Sequence, residues 1–158
     1  MSADKIVSRE RLLEAAARER ASGTTIVFAN GAFDLLHVGH VRYLEAARRE
    51  GGWLAVGVNS DGSVARAKGP NRPVIPAGER AEVVAALEAV DAVVVFDEDS
   101  PAGLIAALRP DVHAKGTDYA AESVPEREAV AAYGGRTVIV GDPKDHSTSE
   151  VIEKLRGE

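Results

Sequence analysis

Five short apolar segments, each followed by a segment with helical spacing, constrain the fold of this 158-residue chain more than any other feature. Most of them are rich in Val and Ile and lack alternation of polar and apolar residues, which is typical of strands buried on both faces. Separated by helices, such strands form a doubly wound, Rossmann-like α/β fold with a five-stranded parallel sheet and helices on both faces. The predicted strands are residues 24–30, 53–59, 92–96, 111–115 and 136–140.

The segments between these strands have apolar residues at helical spacing. In the third predicted helix, Val83, Val84 and Leu87 are expected to face the core. The glycines and prolines of residues 60–75 predict a loop before that helix. The predicted helices are residues 8–21, 38–50, 77–89, 101–109, 124–133 and 147–155.

Composition and charge exclude several classes of function. The chain has no cysteine, which rules out disulfides, thiolate zinc sites and cysteine nucleophiles. It has no run of about eighteen apolar residues, and its charged first residues lack the apolar core of a signal peptide, so we expect a cytoplasmic protein with no membrane partner. The net charge of −6 argues against a nucleic-acid partner.

The domain organisation is predicted to be simple. The chain contains no repeat and no linker long enough to separate two domains. We therefore predict a single domain over residues 1–158, with residues 1–22 as an N-terminal helical extension.

Ligands of a doubly wound sheet bind beyond the carboxyl ends of the strands, so the residues that follow each strand are candidates for a site. The segment after the second strand is basic, with Arg66, Lys68, Arg72 and Arg80 close together. Cations beyond the carboxyl end of a strand favour anionic ligands, although a solvated charged face is the alternative interpretation. The segments that follow strands are residues 30–40, 59–72, 97–99, 115–119 and 141–149.

Residues 30–40 read NGAFDLLHVGH and hold two of the four histidines of the chain, at the start of a predicted helix. A zinc site would need a third ligand, from Asp34, His113 or His146, and no HExxH pattern is present. A Ser-His-Asp hydrolase would need a Gly-x-Ser-x-Gly elbow, which is also absent. Histidines at a helix start can also have only a capping role.

A phosphate site explains this segment best. Gly31 lets a ligand approach the backbone, and the helix that begins near Val38 directs free N–H groups and its positive dipole end to the same space. His37 and His40 add two imidazole donors, with Gly39 between them. The chain lacks GxxxxGK[ST] and has no GxGxxG after the first strand, so neither a P-loop nor a dinucleotide site is predicted.

Two stretches resemble signatures of the cytidylyltransferase-like nucleotidyltransferases. Residues 31–40, GAFDLLHVGH, are similar to the Gly-x-Phe-Asp-x-x-His-x-Gly-His signature, and Ser147-Thr148-Ser149 resembles the second signature, which opens the last helix. The resemblance implies a Rossmann-like fold and transfer of a nucleotide onto a phosphorylated acceptor.

Within this superfamily, residues 56–119 resemble the adenylyltransferases that make ADP-heptose. The similar points include residues 58–61, Arg80 and the stretch 115–119, in which Thr117 replaces a usual glycine. The resemblance implies that AMP is moved from ATP onto a sugar 1-phosphate, D-glycero-β-D-manno-heptose 1-phosphate, giving ADP-heptose, a lipopolysaccharide precursor, and pyrophosphate.

The resemblance also implies roles for particular residues. An acceptor phosphate oxygen, already ionised at neutral pH, would attack the α-phosphorus of ATP, with Mg²⁺ on the phosphates and no direct metal ligand from the protein. The catalytic residues would be His37, His40, Lys68 and Arg80, with Arg80 on the triphosphate. Asp34 would orient the turn or reach Mg²⁺ through water. The residues expected to bind the acceptor are Asn59, Asp61, Lys68 and Arg72. The residues expected to bind the nucleotide are Asn30, Gly31, Ala32, Phe33, Asp34, Gly39, Lys115, Gly116, Asp118, Tyr119, Ser147, Thr148 and Ser149.

Other interpretations stay open at this stage. One is a cytidylyltransferase that acts on glycerol 3-phosphate or a similar small acceptor. Another is a nucleotide-binding module without catalysis. His113 is expected to be structural, and His146 either reaches phosphate or only precedes the cap of the last helix. Relatives imply a homodimer.

Overall fold

The computed structural model describes residues 1–143 and 147–157 and contains an all-parallel sheet of five strands. The strands are β1 (Ile26–Gly31), β2 (Trp53–Asn59), β3 (Ala92–Phe96), β4 (Val112–Lys115) and β5 (Arg136–Ile139). Their order is β3-β2-β1-β4-β5, so the chain starts at the centre and winds outward in both directions. The predicted doubly wound α/β fold is confirmed.

Helices cover both faces of the sheet. Leu44 of the second helix and Val84 of the fourth pack on one face, and Leu12 of the first and Ile105 of the fifth pack on the other. None of the helices among the described residues combines the length and the apolar character needed to cross a membrane. The α-helices are α1 (Arg9–Ala21), α2 (Val38–Arg49), α3 (Asp61–Lys68), α4 (Ala77–Ala85), α5 (Ala102–Leu108), α6 (Arg127–Ala131) and α7 (Thr148–Leu155), with 3₁₀ helices at Ser2–Lys5 and Ala121–Ser123.

The central strand shows why its sequence lacks polar alternation. Val27 and Ala29 of β1 belong to one core, and Ile26 and Phe28 belong to the other. All four side chains are fully buried. A strand with a core on each face needs apolar residues at every position, which is what the sequence pattern predicts.

The winding of the sheet reverses next to β1. This strand pairs with β2 on one side and with β4 on the other. The helix that follows β1 packs on one face and the helix that follows β4 packs on the opposite face. The loops therefore diverge and open a crevice beyond Gly31 and Lys115, the last residues of the two strands.

The prediction of a loop over residues 60–75 was wrong in part, because α3 lies within it. The Ser60 hydroxyl accepts a hydrogen bond from the Ser63 amide and caps this helix. Asp61 adds an acidic side chain in the first turn, where it complements the helix dipole. Gly69 ends the helix with a φ of 102°, a conformation that glycine adopts readily.

Two smaller predictions about helices also differ from the structure. Of the helix predicted over residues 124–133, only Arg127–Ala131 is α-helical. Val83 is 47% exposed, although it was expected to face the core. The buried face of α4 instead carries Arg80 and Val84, which are four residues apart and so lie on the same side of the helix.

Candidate active site

A cleft of about 340 Å³ lies at the reversal point of the sheet, within the size range of small-ligand sites. Its walls come from the β1–α2 turn, the loop after β4, the loop after β5 and the start of α7, with Lys68 reaching in from the end of α3. The structure thus brings together segments that are distant in sequence. The predicted site residues that line the cleft are Asn30, Gly31, Ala32, Phe33, Asp34, His37, Gly39, His40, Lys68, Lys115, Gly116, Asp118, Tyr119, Ser147, Thr148 and Ser149.

The two signature histidines lie side by side, with ring centroids 4.0 Å apart. His37 caps α2, and its Nδ1 accepts a hydrogen bond from the Gly39 amide at 3.1 Å. Nδ1 of His40 accepts a hydrogen bond from the His37 amide at 3.2 Å. Because Nδ1 is an acceptor in both rings, the proton of each neutral ring sits on Nε2. Both rings therefore carry an Nε2–H donor.

The ring of His40 is neutral at physiological pH. Burial lowers the pKa of His40 to about 4, and the proximity of His37 and Lys68 lowers this pKa further. The ring also lies 5.5 Å from that of Phe33, which is buried and has a φ of 50°. A positive φ in a bulky residue is strained and is often found at functional sites. Here it brings the aromatic ring against the second signature histidine.

Two helices direct their N-termini into the cleft. Gly39 lies in the first turn of α2, and Thr148 and Ser149 form the first turn of α7. The Ser147 hydroxyl caps α7 by accepting a hydrogen bond from the Glu150 amide at 3.1 Å. The first N–H groups of a helix and its positive dipole end attract anions. Two such ends on one cleft favour a ligand with several negative charges.

Two lysines add positive charge to the cleft. The pKa of Lys68 is lowered by desolvation and then by the charges of Arg72 and Arg80, with Asp34 acting in the opposite direction. A lysine whose pKa is lowered by neighbouring cations lies in a positive potential that an anion would relieve. This electrostatic pattern is present in a chain whose overall charge is −6.

Lys115 and its neighbours form the opposite end of the cleft. Burial lowers the pKa of Lys115, against the effect of the negative charges of Glu126 and Asp118. Its Nζ lies 4.5 Å from the ring centroid of Tyr119, a cation–π distance. A Cβ added at Gly116 would meet nothing within 4 Å. This end of the cleft therefore has open space beside an aromatic ring and a cation.

Asp34 holds a neighbouring loop. Both of its carboxylate oxygens accept a hydrogen bond from the Val74 amide, Oδ1 accepts another from Ile75, and Oδ2 accepts one from Nε of Arg72. Burial alone would raise the pKa of Asp34, but these hydrogen bonds and the charge of Arg72 lower it below its ordinary value. Of the roles expected for this side chain, the geometry favours orientation of the turn, since both oxygens are occupied by the 72–75 segment.

The structure places Arg80 away from the cleft, in contrast to the predicted contact with the triphosphate. Its side chain is only 1% exposed. Nε donates to the Ile75 carbonyl at 2.8 Å, and Nη1 donates to the carbonyls of Ala32 and Asn59. Nη2 pairs with Asp61 at 2.8 Å. The guanidinium therefore ties together three segments from beneath the site.

The other predicted acceptor-binding residues of this segment also have internal partners. Asn59 donates from Nδ2 to the Ser63 hydroxyl at 2.9 Å. Asp61 accepts from the Ala77 amide as well as from Arg80. Arg72 pairs with Asp34, although its Nη2 has no partner among the described residues. None of these three lines the cleft, and Asn59 lines a second, adjacent cavity.

Sequence reasoning assigned no role to several residues that line the cleft, and one of them, Tyr43, also lay outside the candidate segments. Tyr43 lies one helical turn after His40, and this spacing was the available signal. Its hydroxyl donates to the Ala114 carbonyl at 2.6 Å. Thr117 donates to the Asp142 carbonyl at 2.6 Å, and Asp142 pairs with Arg42 of α2. These contacts connect the loops after β4 and β5 to the signature helix.

Neither the zinc interpretation nor the role of His146 gains support. In residues 1–143 and 147–157, no group of three or more His, Cys, Asp and Glu side chains is placed to hold a metal ion. His37 and His40 use their Nδ1 atoms for helix capping. His146 lies outside the described residues.

Comparison with known proteins places the chain in a family. A family model described as cytidylyltransferase-like matches residues 28–154. The chain belongs to the cytidylyltransferase-like family. The resemblance predicted from residues 31–40 and 147–149 is thus confirmed.

Curated relatives are similar over nearly the whole chain. The bifunctional protein HldE of Syntrophotalea carbinolica is 51% identical over 151 residues, which cover 96% of this chain and 31% of that protein. The bifunctional protein HldE of Trichlorobacter lovleyi is 50% identical over 154 residues, or 98% of this chain and 31% of that protein. The chain therefore spans about a third of the length of these relatives.

A solved structure shares the fold. The crystal structure of the lipopolysaccharide core biosynthesis protein from Thermoplasma volcanium GSS1 is similar, with a TM-score of 0.67 and 27% sequence identity. The similar region covers 77% of this chain and 100% of that chain.

Proposed function

We propose that this protein transfers AMP from ATP onto a sugar 1-phosphate, D-glycero-β-D-manno-heptose 1-phosphate, and releases pyrophosphate and ADP-heptose. One observation carries the proposal: a single cleft combines both signature histidines, two helix N-termini and two lysines. Identity of about 50% to bifunctional HldE proteins supports the choice of reaction within the family. The similarity to a lipopolysaccharide core biosynthesis protein agrees with a heptose product.

The reaction needs charge stabilisation more than proton transfer. An oxygen of the acceptor phosphate attacks the α-phosphorus of ATP, a new P–O bond forms, and the bond to the β-phosphate oxygen breaks. The attacking oxygen is already ionised at neutral pH, so no general base is required. Catalysis then consists of positioning the two substrates and stabilising the charge on the leaving pyrophosphate.

The histidines and the helix ends are suited to the triphosphate. The Nε2–H groups of His37 and His40 would donate to oxygens of the phosphate chain, where negative charge grows as pyrophosphate leaves. The first N–H groups of α7, behind the Ser147 cap, would bind the β and γ phosphates. Because His40 is neutral, it donates without losing a proton itself.

Mg²⁺ is proposed to arrive with ATP as part of the substrate. Phosphate oxygens and water would supply most of its ligands, as is usual for Mg²⁺ bound together with a nucleotide. When bound, the ion would reduce the negative charge of the triphosphate. The protein contributes the donors around that charge.

The acceptor is proposed to lie between the two cavities. The second cavity, of about 360 Å³, shares Ala32 and Lys68 with the cleft and is also lined by Asn59, Ser63 and Arg66. Lys68 at the shared border would hold the acceptor phosphate next to the α-phosphorus. The polar side chains of the second cavity would then contact the sugar hydroxyls.

A pyrophosphate-release assay tests this function. The purified chain is given Mg²⁺ and every combination of ATP or CTP with heptose 1-phosphate, other sugar 1-phosphates and glycerol 3-phosphate. The proposal expects the highest kcat/KM for ATP with heptose 1-phosphate. Preference for CTP with glycerol 3-phosphate would replace it with a cytidylyltransferase, and nucleotide binding without pyrophosphate release would indicate a non-catalytic module.

We also propose that the protein is a homodimer, as the family resemblance implies. The described residues of a single chain line the cleft, and the test concerns the mass of the protein in solution. Light scattering after size-exclusion chromatography gives the mass directly. A mass near twice the 16.6 kDa of the chain is expected, and a monomeric mass would contradict the dimer.

A further inference from the structure

His113 is a buried titratable residue that the proposed reaction does not use. It lies on β4 with 0% exposure, pairs in register with Phe28 of β1, and stacks on that ring at 5.8 Å between centroids. A polar ring at this position is costly unless it makes a specific hydrogen bond. The ring makes one such bond, and its partner is a residue of the cleft.

The partner is the side chain of Asn30, the penultimate residue of β1. Nε2 of His113 lies 3.0 Å from Oδ1 of Asn30. The backbone of Asn30 is fixed separately, because β1 pairs with β2 and places Asn30 in register with Gly57. Asn30 lines the cleft, and its –NH₂ group has no hydrogen bond within the described part of the chain.

The position of the proton on the His113 ring determines which way the Asn30 carboxamide faces. Nδ1 of His113 is buried and has no hydrogen-bond partner in the described structure. If Nε2 donates to Asn30, the group left without a partner is a lone pair on Nδ1. If Nε2 accepts from the carboxamide –NH₂, the group left alone is a buried N–H, which proteins tolerate less well. The Nε2–H donor and the Asn30 oxygen acceptor are therefore the favoured pair.

We propose that His113 is a positioning residue that holds the Asn30 oxygen away from the cleft and so keeps the –NH₂ group directed toward the nucleotide. The inference rests on the proposed function, since it assigns the Asn30 amide as a donor to ATP. The opposite orientation would present a carbonyl oxygen to an anionic ligand. A carboxamide free to rotate would spend part of its time in that repulsive orientation.

The affinity of four variants for ATP tests this inference. ATP binding in the presence of Mg²⁺ is measured by calorimetry on the full chain for His113→Leu, His113→Gln, Asn30→Ala and the double variant His113→Leu/Asn30→Ala. His113→Leu and Asn30→Ala should each raise the Kd about 10-fold, the scale of one lost hydrogen bond to a charged group. The double variant should bind no more weakly than Asn30→Ala, and His113→Gln, which keeps a side-chain N–H, should recover most of the affinity.

A structural role alone predicts different results. Val112→Ala, a buried change on the same strand at the position that pairs with Val27, serves as the control and should lower the melting temperature without changing the Kd. Unchanged affinity in His113→Leu, or losses that add in the double variant, would overturn the inference. A wild-type protein that binds ATP but releases no pyrophosphate with any acceptor would contradict the transfer reaction alone.

Discussion

The turn after β1 and the basic segment after β2 both follow central strands and both contain predicted site residues, but the structure uses them differently. In the first, His37, Gly39 and His40 all line the cleft. In the second, Lys68 alone of the predicted residues does so, while Arg80 and Asp61 bind one another and the surrounding backbone. A signature with fixed backbone spacing therefore predicted residues that line the cleft, whereas a local excess of charge did not separate cations of the cleft from buried structural ones.

The largest expected effect is a loss of turnover when His40, in the turn after β1, is replaced. His40→Ala should lower kcat by about 100- to 1,000-fold, because it removes a preorganised donor to the charge that develops in the reaction. Pyrophosphate release at saturating substrates measures it, with Glu45→Ala on the exposed side of the same helix as the control. Near-native turnover of His40→Ala, with a native circular dichroism spectrum, would refute the role of this ring.

A second variant tests whether Arg80 is structural. Arg80→Ala should reduce the free energy of unfolding by about 3 kcal/mol, since it leaves three carbonyls without their donor and removes the ion pair with Asp61. Urea denaturation measures the loss, and exposed Glu79→Ala is the matched control. If stability is unchanged while kcat falls strongly, Arg80 belongs to the catalytic site after all.

The stability of the protein in acid tests whether the imidazole of His40 is buried and neutral. The folded pKa of His40 is about 4, below its ordinary value of 6.5, so the unfolded chain takes up the proton first. The stability associated with the neutral ring is complete above pH 6.5 and is lost as the pH falls toward 4. At pH 5 this loss is about 2 kcal/mol.

Urea denaturation of nucleotide-free protein at pH 7.5 and pH 5 measures this effect. The wild type should lose about 2 kcal/mol more than His40→Ala between the two pH values. Parallel pH dependence of the two proteins would show that His40 is not buried and neutral in solution.

The smallest effect is expected at Lys68. Lys68→Ala should raise the KM for the phosphorylated acceptor about 10-fold at low salt and leave the melting temperature unchanged, because the side chain lines the cleft and contributes charge more than core packing. Lys154→Ala makes the same change of net charge at a distance and should leave KM unchanged. If both variants raised the KM equally, the change would come from the net charge of the chain and not from a contact of Lys68 with the acceptor.

Much of the fold was predictable because its signals are local and redundant. The cores of β1 and β2, such as Ile26 to Ala29, are apolar without interruption and are buried on both faces. Helix α3 was missed because Gly62, Gly69 and Pro70 are loop signals, and an eight-residue helix depends on its cap and tertiary contacts more than on propensity.

In the candidate site, the residues within one short segment were predictable, but the partners of residues from distant segments were not. The backbone spacing of residues 31–40 fixes the helix cap and the imidazole pair within one short segment. By contrast, the burial of Arg80 depends on carbonyls of Ala32 and Asn59, which are 48 and 21 residues away. Such partners are set by the assembled fold, so the sequence alone could not assign them.

A crystal structure with Mg²⁺ and the non-hydrolysable analogue α,β-methylene-ATP tests the central claim most directly. The account predicts that phosphate oxygens lie within hydrogen-bond distance of Nε2 of both His37 and His40 and of the first amides of α7. A triphosphate bound instead along the basic segment, in contact with Arg72 or Arg80 and away from the two imidazoles, would contradict it.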